Sequence, residues 1–203
     1  MRIEKTVEEY SRYLSGKEKA PNIGTSFIDS LLLDFFHDLS FGLPDNFPKP
    51  NDGIDRRLVS VDLINGILPG EKFDVIIFTE VLEHMFQGDK IVLNSIRKVL
   101  TEDGILCFSV PKAVSIWARL RVIMGKNIWW TKHDIINGVY GGYGHLREYT
   151  FYKIKTLMEY DFNILLLKGI NGYRKGLAKV ANVLPNTFSN TILMIERRAG
   201  DDE

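Results

Sequence analysis

The sequence predicts an α/β fold built on one largely parallel β-sheet. Two apolar runs, FDVIIFT at 73–79 and GILCFSV at 104–110, are almost continuous, as expected of parallel strands covered on both faces. Segments with helical periodicity separate these runs from each other and from further strand-like runs. Strands that alternate with helices are typical of sheets with parallel crossover connections, so the alternation itself indicates the fold class.

The length and composition are those of an ordinary globular domain. The chain has 203 residues, 45% hydrophobic and 26% charged, so we expect one domain over residues 1–203. Lys and Arg total 26, as do Asp and Glu, and this balance gives no reason to expect general nucleic-acid binding. The charged N-terminus is unlike a signal peptide, and no apolar run reaches the roughly 18 residues of a membrane span. The single cysteine, Cys107, cannot form an internal disulfide, which favours a cytoplasmic protein.

The first 56 residues are predicted to form a helical segment followed by a linker. Apolar residues recur at helical spacing in residues 26–39, SFIDSLLLDFFHDL. The run begins with Ser26, and serine is a residue type that favours helix starts. FGLPDNFPKPNDG, residues 41–53, contains three prolines and two glycines, which favour a loop. A strand pattern begins only with RLVSVDL, residues 57–63.

Helical and strand patterns alternate after FDVIIFT. They are the helices DKIVLNSIRKVL (89–100), AVSIWARLRVIMG (113–125) and TFYKIKTLMEY (150–160), and the strands GILCFSV (104–110), FNILLLK (162–168) and NTILMIE (190–196). Asp89 and Thr150 are the predicted N-caps of the first and third helices, and Gly125 is the predicted end of the second. Trp117 lies on the apolar stripe of the second helix, so we expect it to fill a small hydrophobic sub-core.

Three polar side chains, Glu80, Glu83 and His84, follow the FDVIIFT strand. Ligands of such sheets bind outside the carboxyl ends of the strands, so these residues lie where a site is expected. If a helical turn starts at Glu80, their spacing puts all three side chains on one face. Two carboxylates and an imidazole can hold a divalent cation or supply a general base. The alternative is structural, because glutamates also stabilise a helix N-terminus and a histidine can anchor a loop.

The order of several sequence blocks is more specific. A strand ending in EVLEH is followed by a helix, a DG turn, a strand ending in VP, the segment GHLREYT, a helix and a DF strand. Over residues 59–196 this order resembles the class I S-adenosylmethionine-dependent methyltransferases. The resemblance implies a Rossmann-like, parallel-dominated sheet, S-adenosylmethionine as cofactor, and methyl transfer. The favoured chemistry is O-methylation of a small-molecule or glycan acceptor.

The resemblance also implies cofactor-binding residues at two strand ends. Asp62, in VDL, corresponds to the acidic position near the adenine of the cofactor. Thr79 and Glu80 correspond to the strand tip that passes the methionine part of the cofactor.

On the acceptor side, the resemblance implies that Glu83, His84 and His145 are catalytic. Relatives that methylate vicinal hydroxyls hold a metal with an E-x-x-E-H group, and in some of them a further histidine completes the site. The corresponding metal ligands here are Glu80, Glu83, His84 and His145. Many relatives carry similar segments, so the resemblance leaves open whether this chain uses a divalent metal.

The first third departs from the family pattern, because residues 1–58 contain no G-x-G loop. Gly16, Gly24 and Gly53 are isolated, and no clear acidic counterpart for the cofactor ribose follows them. The resemblance is therefore to a fold with a reduced or rebuilt N-terminal part. Two interpretations stay open. The chain is either a non-catalytic methyltransferase-like binding subunit, or an enzyme whose reduced pocket is completed by a partner subunit or a second copy in a homo-oligomer.

Residues 112–149 are predicted to form a lid-like insertion over the acceptor side. The segment contains Trp129 and Trp130 in a polar context, and the GGYG run at 141–144. We expect one of these two tryptophans to face the crevice and contact the acceptor.

Overall fold

The computed structural model describes residues 9–10, 12–13, 21–23, 40–44, 57–61, 72–85, 88–128, 145–170 and 189–200. The strands, in chain order, are β1 (Pro21–Ile23), β2 (Ser40–Pro44), β3 (Arg57–Val61), β4 (Phe73–Thr79), β5 (Leu100–Pro111), β6 (Phe162–Ile170) and β7 (Thr191–Arg198). They form one sheet in the order β3-β2-β1-β4-β5-β7-β6. The chain is therefore an α/β protein, as its alternating pattern predicts.

The sheet is parallel from β3 through β5 and antiparallel where β7 lies between β5 and β6. β4 and β5 are adjacent and parallel, with Val75 opposite Ile105 and Thr79 opposite Ser109. This confirms the prediction that the two most continuous apolar runs are neighbouring strands. Their carboxyl ends therefore reach the same edge of the sheet.

One turn of 3₁₀-helix, Leu82–His84, follows β4, and three α-helices are named here: α1 (Asp89–Val99), α2 (Ile116–Ile123) and α3 (Phe151–Met158). Residues 9–10 and 12–13 are also helical. Thr150 caps α3 as predicted, because its side chain accepts a hydrogen bond from the backbone N–H of Lys153. The predicted cap Asp89 is instead the first residue of α1, after Gly88. Its carboxylate accepts a hydrogen bond from Tyr149, at 2.8 Å, so it does not cap the helix.

The prediction of an N-terminal helical segment and linker is wrong at residues 21–23 and 40–44, which are β1 and β2. β1 has only three residues, and its stability comes from parallel pairing with β2 on one side and β4 on the other. Such pairing overrides local signals, so the loop-forming composition around β2 did not reveal the strand. The strands of the first unit are thus present but short. The predicted helix at 26–39 lies outside the described residues.

The core lies on the face of the sheet that α1 and α3 cover. Ile76 and Phe78 of β4 pack there with Val92 and Ile96 of α1 and Ile154 of α3, all fully buried. The alternate residues of β4, Val75 and Ile77, are fully buried as well. Both faces of β4 are closed to water, which explains why its sequence is a continuous apolar run and not an alternating one.

Gly104 allows an irregular start to β5. Leu100 pairs with Phe73 and Ile105 with Val75, so β5 holds extra residues between two closely spaced positions of β4. A Cβ on Gly104 would lie 2.9 Å from both the Cβ of Leu100 and the carbonyl oxygen of Thr101. Only glycine fits this close approach of the chain to itself.

The helix α2 differs from its prediction. Trp117 is 48% exposed and no residue of α2 is buried, so the expected sub-core around Trp117 does not form within the described residues. Trp129 and Trp130, the predicted acceptor contacts, lie outside those residues. No helix among the described residues is long and apolar enough to cross a membrane.

Candidate functional site

The candidate site lies where the strand order of the sheet reverses. On one side of β1 lie β2 and then β3, and on its other side lie β4 and then β5. β1 ends at Ile23, which pairs with Phe78, one residue before the end of β4. Sheets of this kind bind ligands at such a switch point, outside the carboxyl ends of the strands.

Glu80 turns the chain away from the sheet directly after β4. Its backbone has a φ of 55°, in the left-handed region, which costs a non-glycine residue about 1 kcal/mol or more. Its N–H donates to the carbonyl of Ser109 at 2.9 Å, and its carboxylate accepts a hydrogen bond from the Ser109 hydroxyl at 3.0 Å. The prediction of one helical turn starting at Glu80 is therefore wrong. The turn begins at Leu82 and leaves Glu80 bound to β5.

Glu83, His84 and His145 converge, as the sequence predicted for these three residues. One ligand atom from each lies within 4.8 Å of the others. His84 Nε2 is 3.7 Å from a carboxylate oxygen of Glu83, and the two imidazole rings meet edge to face with centroids 5.0 Å apart. Glu83 is fully buried, whereas both histidines are partly accessible. Glu80 is not in this group.

Backbone hydrogen bonds bring His145 to the 3₁₀ turn across a long stretch of sequence. The N–H groups of Leu146 and Arg147 donate to the carbonyl of Glu83, at 2.8 and 3.4 Å. The Arg147 guanidinium donates to the carbonyl of Met85 at 2.6 Å. These bonds hold residues 145–147, near the end of the predicted lid, against the strand tip, which gives the HLR part of GHLR a structural role.

Asp89, at the start of α1, links this arrangement to the helices. Its carboxylate accepts a hydrogen bond from the Tyr149 hydroxyl at 2.8 Å and lies 3.4 Å from the Arg147 guanidinium. Tyr149 is fully buried, and burial together with Asp89 raises the pKa of its hydroxyl. Asp89 thus joins α1, Arg147 and Tyr149 in one network beneath the three converging residues.

The surroundings of His145 keep its imidazole neutral. Burial, and then the proximity of His84, lower the pKa of His145 to about 4. At neutral pH the ring therefore carries a lone pair on one nitrogen, which can bind a metal ion or accept a proton. A buried carboxylate beside two imidazoles offers the donor set that Mn²⁺, Fe²⁺ or Zn²⁺ accepts.

Thr79 and a residue that the sequence did not indicate lie at the switch point. The hydroxyl of Tyr10 lies 3.1 Å from Oγ1 of Thr79, and Tyr10 is fully buried. Burial raises the pKa of this phenol well above its usual value, so it is neutral. Nothing in the sequence indicated this contact, because the two residues are 69 positions apart and Tyr10 lies in a charged stretch. Asp62, the predicted adenine-side residue, lies outside the described residues.

No protein-family model matches the chain, and no curated protein matches it. Solved structures do. The N-methyltransferase NodS from Bradyrhizobium japonicum, in complex with S-adenosylhomocysteine, is 14% identical, with 97% of this chain and 87% of that chain covered and a TM-score of 0.59. A 1,6-didemethyltoxoflavin-N1-methyltransferase from Burkholderia thailandensis, with that compound and S-adenosylhomocysteine bound, is 15% identical over 98% of this chain and 79% of that chain, at a TM-score of 0.61. The fold is that of the class I methyltransferases.

A third structure extends the class I likeness over nearly the full length of both chains. It is an S-adenosylmethionine-dependent methyltransferase from Clostridium acetobutylicum, 15% identical, with 98% of this chain and 92% of that chain covered and a TM-score of 0.61. The class I fold confirms the predicted Rossmann-like sheet. It also means that the N-terminal strands, though short, occupy the sheet positions that the fold requires.

Proposed function

We propose that the chain is an S-adenosylmethionine-dependent methyltransferase that methylates a hydroxyl of a small-molecule or glycan acceptor. The observation that carries this proposal is the convergence of Glu83, His84 and His145 beside the switch point of a class I fold. Three ionisable groups gathered from two distant segments, in a partly buried position, are more than the fold itself needs.

The sequence around the strand ends supports a cofactor site at the switch point. Gly24 follows β1 directly, and Asp45 and Asp62 are the first residues after β2 and β3. Asp45 comes 21 residues after Gly24, near the roughly 20-residue spacing at which doubly wound folds place the acid that binds a ribose hydroxyl. Because β2 ends at Pro44, we assign Asp45 to the ribose-binding position for which the sequence alone offered no clear counterpart. Thr79 and Glu80 complete the proposed cofactor side.

The site residues fit the proton chemistry of O-methylation. The cofactor supplies the methyl group, and an acceptor oxygen that gains it must lose a proton. His145, neutral at pH 7, accepts that proton at the ring nitrogen that carries the lone pair. The buried carboxylate of Glu83, 3.7 Å from His84 Nε2, stabilises the positive charge that the pair of imidazoles then carries.

The same three residues would hold a divalent metal, with Glu83, His84 and His145 as ligands and Glu80 outside the group. A bound metal would act as a Lewis acid on an acceptor hydroxyl. Two nitrogen ligands and one oxygen ligand favour Mn²⁺, Fe²⁺ or Zn²⁺ over Mg²⁺.

Calorimetry with S-adenosylhomocysteine tests the cofactor site. We expect the wild type to bind it, and Asp45→Asn and Asp62→Asn to weaken binding by about 10-fold or more each, because each removes a charge-assisted hydrogen bond. Asp103→Asn is the matched control, since Asp103 is exposed at the opposite end of β5. If the wild type binds no S-adenosylhomocysteine, the absence of a G-x-G loop is decisive and the chain is the non-catalytic binding subunit.

Thermal denaturation with divalent metals tests the acceptor side. A metal at 100 times its dissociation constant should raise the melting temperature by roughly 5–10 °C, because it binds only the folded state. Glu83→Gln and His145→Ala should each abolish this increase. Glu80→Gln, the control, should keep it, because Glu80 is bound to Ser109 and lies outside the group. A metal response that survives both ligand variants would leave only the proton-transfer role for these residues.

A further inference from the structure

The helix α2 exposes an apolar face at the edge of the sheet that carries the candidate site. None of its residues is buried. The exposed apolar side chains in and directly after α2, from 39% to 80% accessible, are Trp117, Leu120, Val122, Ile123 and Met124. An isolated exposed leucine needs no explanation, but helical spacing puts four of these large apolar side chains on one face, and such a group marks a binding surface. The four are Trp117, Leu120, Ile123 and Met124.

The charged residues of the same segment are all of one sign. Residues 112–128 contain four cationic residues and no Asp or Glu, although the whole chain has equal numbers of each sign. Arg119, Arg121 and Lys126 are exposed, whereas Lys112 is buried. The guanidinium groups are held near the helix, since Arg119 donates to the carbonyl of Val114 and Arg121 to that of Asn127. The apolar face is therefore flanked by fixed positive charge.

The segment is firmly attached to the sheet at its start. The backbone N–H of Lys112 donates to Asn190 and that of Ala113 to Tyr149, both at 2.8 Å. Ser115 caps α2 by accepting a hydrogen bond from the N–H of Ala118, and the helix ends before Gly125, whose φ is 66°. The exposed face is thus presented by a short, capped helix on an anchored base.

We propose that this surface, residues 116–126, docks on an anionic lipid bilayer. A bilayer interface satisfies both features, since it buries apolar side chains and tryptophan at the headgroup level and attracts Arg and Lys electrostatically. A second copy of the chain fits less well. A two-fold contact would bring identical cationic surfaces together with no carboxylate of residues 112–128 to neutralise them. The docking places the carboxyl edge of the sheet toward the membrane.

Co-sedimentation with vesicles tests the docking without any knowledge of the acceptor. The wild type should bind vesicles of phosphatidylcholine with phosphatidylglycerol, and should bind vesicles of phosphatidylcholine alone much more weakly. The double variant Ile123→Ser with Met124→Ser should reduce the partition coefficient about 10-fold or more, because it removes two large apolar groups from the bilayer. Arg121→Gln and Lys126→Gln should each reduce it about 5-fold, and added salt should have the same effect.

Matched controls come from α3 and α1. Tyr152→Ser removes an 82% exposed aromatic side chain, and Lys98→Gln removes an exposed cation, both outside the α2 surface. Both should leave vesicle binding unchanged. All variants alter exposed residues, so their melting temperatures should stay near that of the wild type. Absence of wild-type binding, equal binding to neutral vesicles, or unchanged binding of the α2 variants would each overturn the proposal. A dimer in sedimentation velocity that Ile123→Ser converts to a monomer would assign the surface to a second copy instead.

Discussion

Replacing Glu196 with methionine is expected to raise the free energy of unfolding at pH 7 by about 1–3 kcal/mol, or roughly 3–10 °C in melting temperature. Glu196 lies in β7, fully buried, between Leu106 of β5 and Ile164 of β6. Among the described residues, neither of its carboxylate oxygens has a hydrogen-bond partner. Folding therefore removes a carboxyl group from water without compensation, and an apolar side chain of similar length avoids that cost.

The effect should depend on pH in a defined direction. Burial raises the pKa of Glu196 well above its usual value, so the unfolded chain releases this proton at lower pH than the folded chain. Below the usual pKa of about 4.5 both states are protonated and the group costs nothing through ionisation. As pH rises above that value, the unfolded state ionises and the wild type loses stability relative to the variant, until the folded pKa is reached. The advantage of Glu196→Met should therefore be larger at pH 8 than at pH 4.

Urea denaturation across that pH range checks the prediction. Glu196→Gln separates the two contributions, because it keeps a buried polar group but cannot ionise, so it should remove the pH dependence and little else. Glu102→Met is the control on an exposed position and should change the free energy by less than about 0.5 kcal/mol. Leu106 is three residues before Ser109, so Glu196 is roughly 10 Å from the carboxyl edge and S-adenosylhomocysteine binding should not change. A destabilised Glu196→Met variant would show that the carboxyl group is paired and the argument mistaken.

Replacing Asp89 with alanine is expected to lower the free energy of unfolding by about 2–4 kcal/mol, or roughly 5–15 °C in melting temperature. The substitution leaves the fully buried Tyr149 without its acceptor and removes the carboxylate beside Arg147. Both residues belong to the segment that holds His145 against Glu83. The metal response expected for the wild type should therefore weaken along with the stability.

Two further variants locate the origin of this loss. Tyr149→Phe removes one hydrogen bond from the network and should cost about 1–2 kcal/mol. Glu159→Ala breaks the i, i+4 pair with Lys155, whose side chains are both 53% exposed, and should cost less than about 0.5 kcal/mol. If Asp89→Ala costs no more than Glu159→Ala, the network is only a set of surface contacts and His145 is held by the backbone bonds alone.

The sequence predicted five of the seven strands, β3 to β7, because its signals there are local. β4 and β5 are buried on both faces, and this burial is visible as continuous apolar residues. The polar residues at the strand tip were also visible in the sequence, since Glu83 and His84 come within five residues of the end of β4. The short strands β1 and β2 were missed because lateral pairing, and not composition, makes them strands.

Two properties of the site could not be predicted from local sequence patterns, for a different reason. The left-handed backbone of Glu80 separates it from Glu83 and His84, although the spacing of the three residues suits a helical face. The contact of Tyr10 with Thr79 joins residues 69 positions apart. Strand-end geometry and long-range contacts depend on how the whole chain packs, which spacing along the sequence does not encode.

The thiol of Cys107 can report on opening of the sheet around it. It is the single cysteine, it is fully buried, and it pairs with Ile77 of β4 on one side and Ile195 of β7 on the other. Burial, and then Glu196, raise the pKa of its thiol, so the reactive thiolate is suppressed while the sheet is closed. A thiol reagent can modify it only when β5 separates from its neighbours. The labelling rate of this one sulfur atom therefore measures how often the centre of the sheet opens.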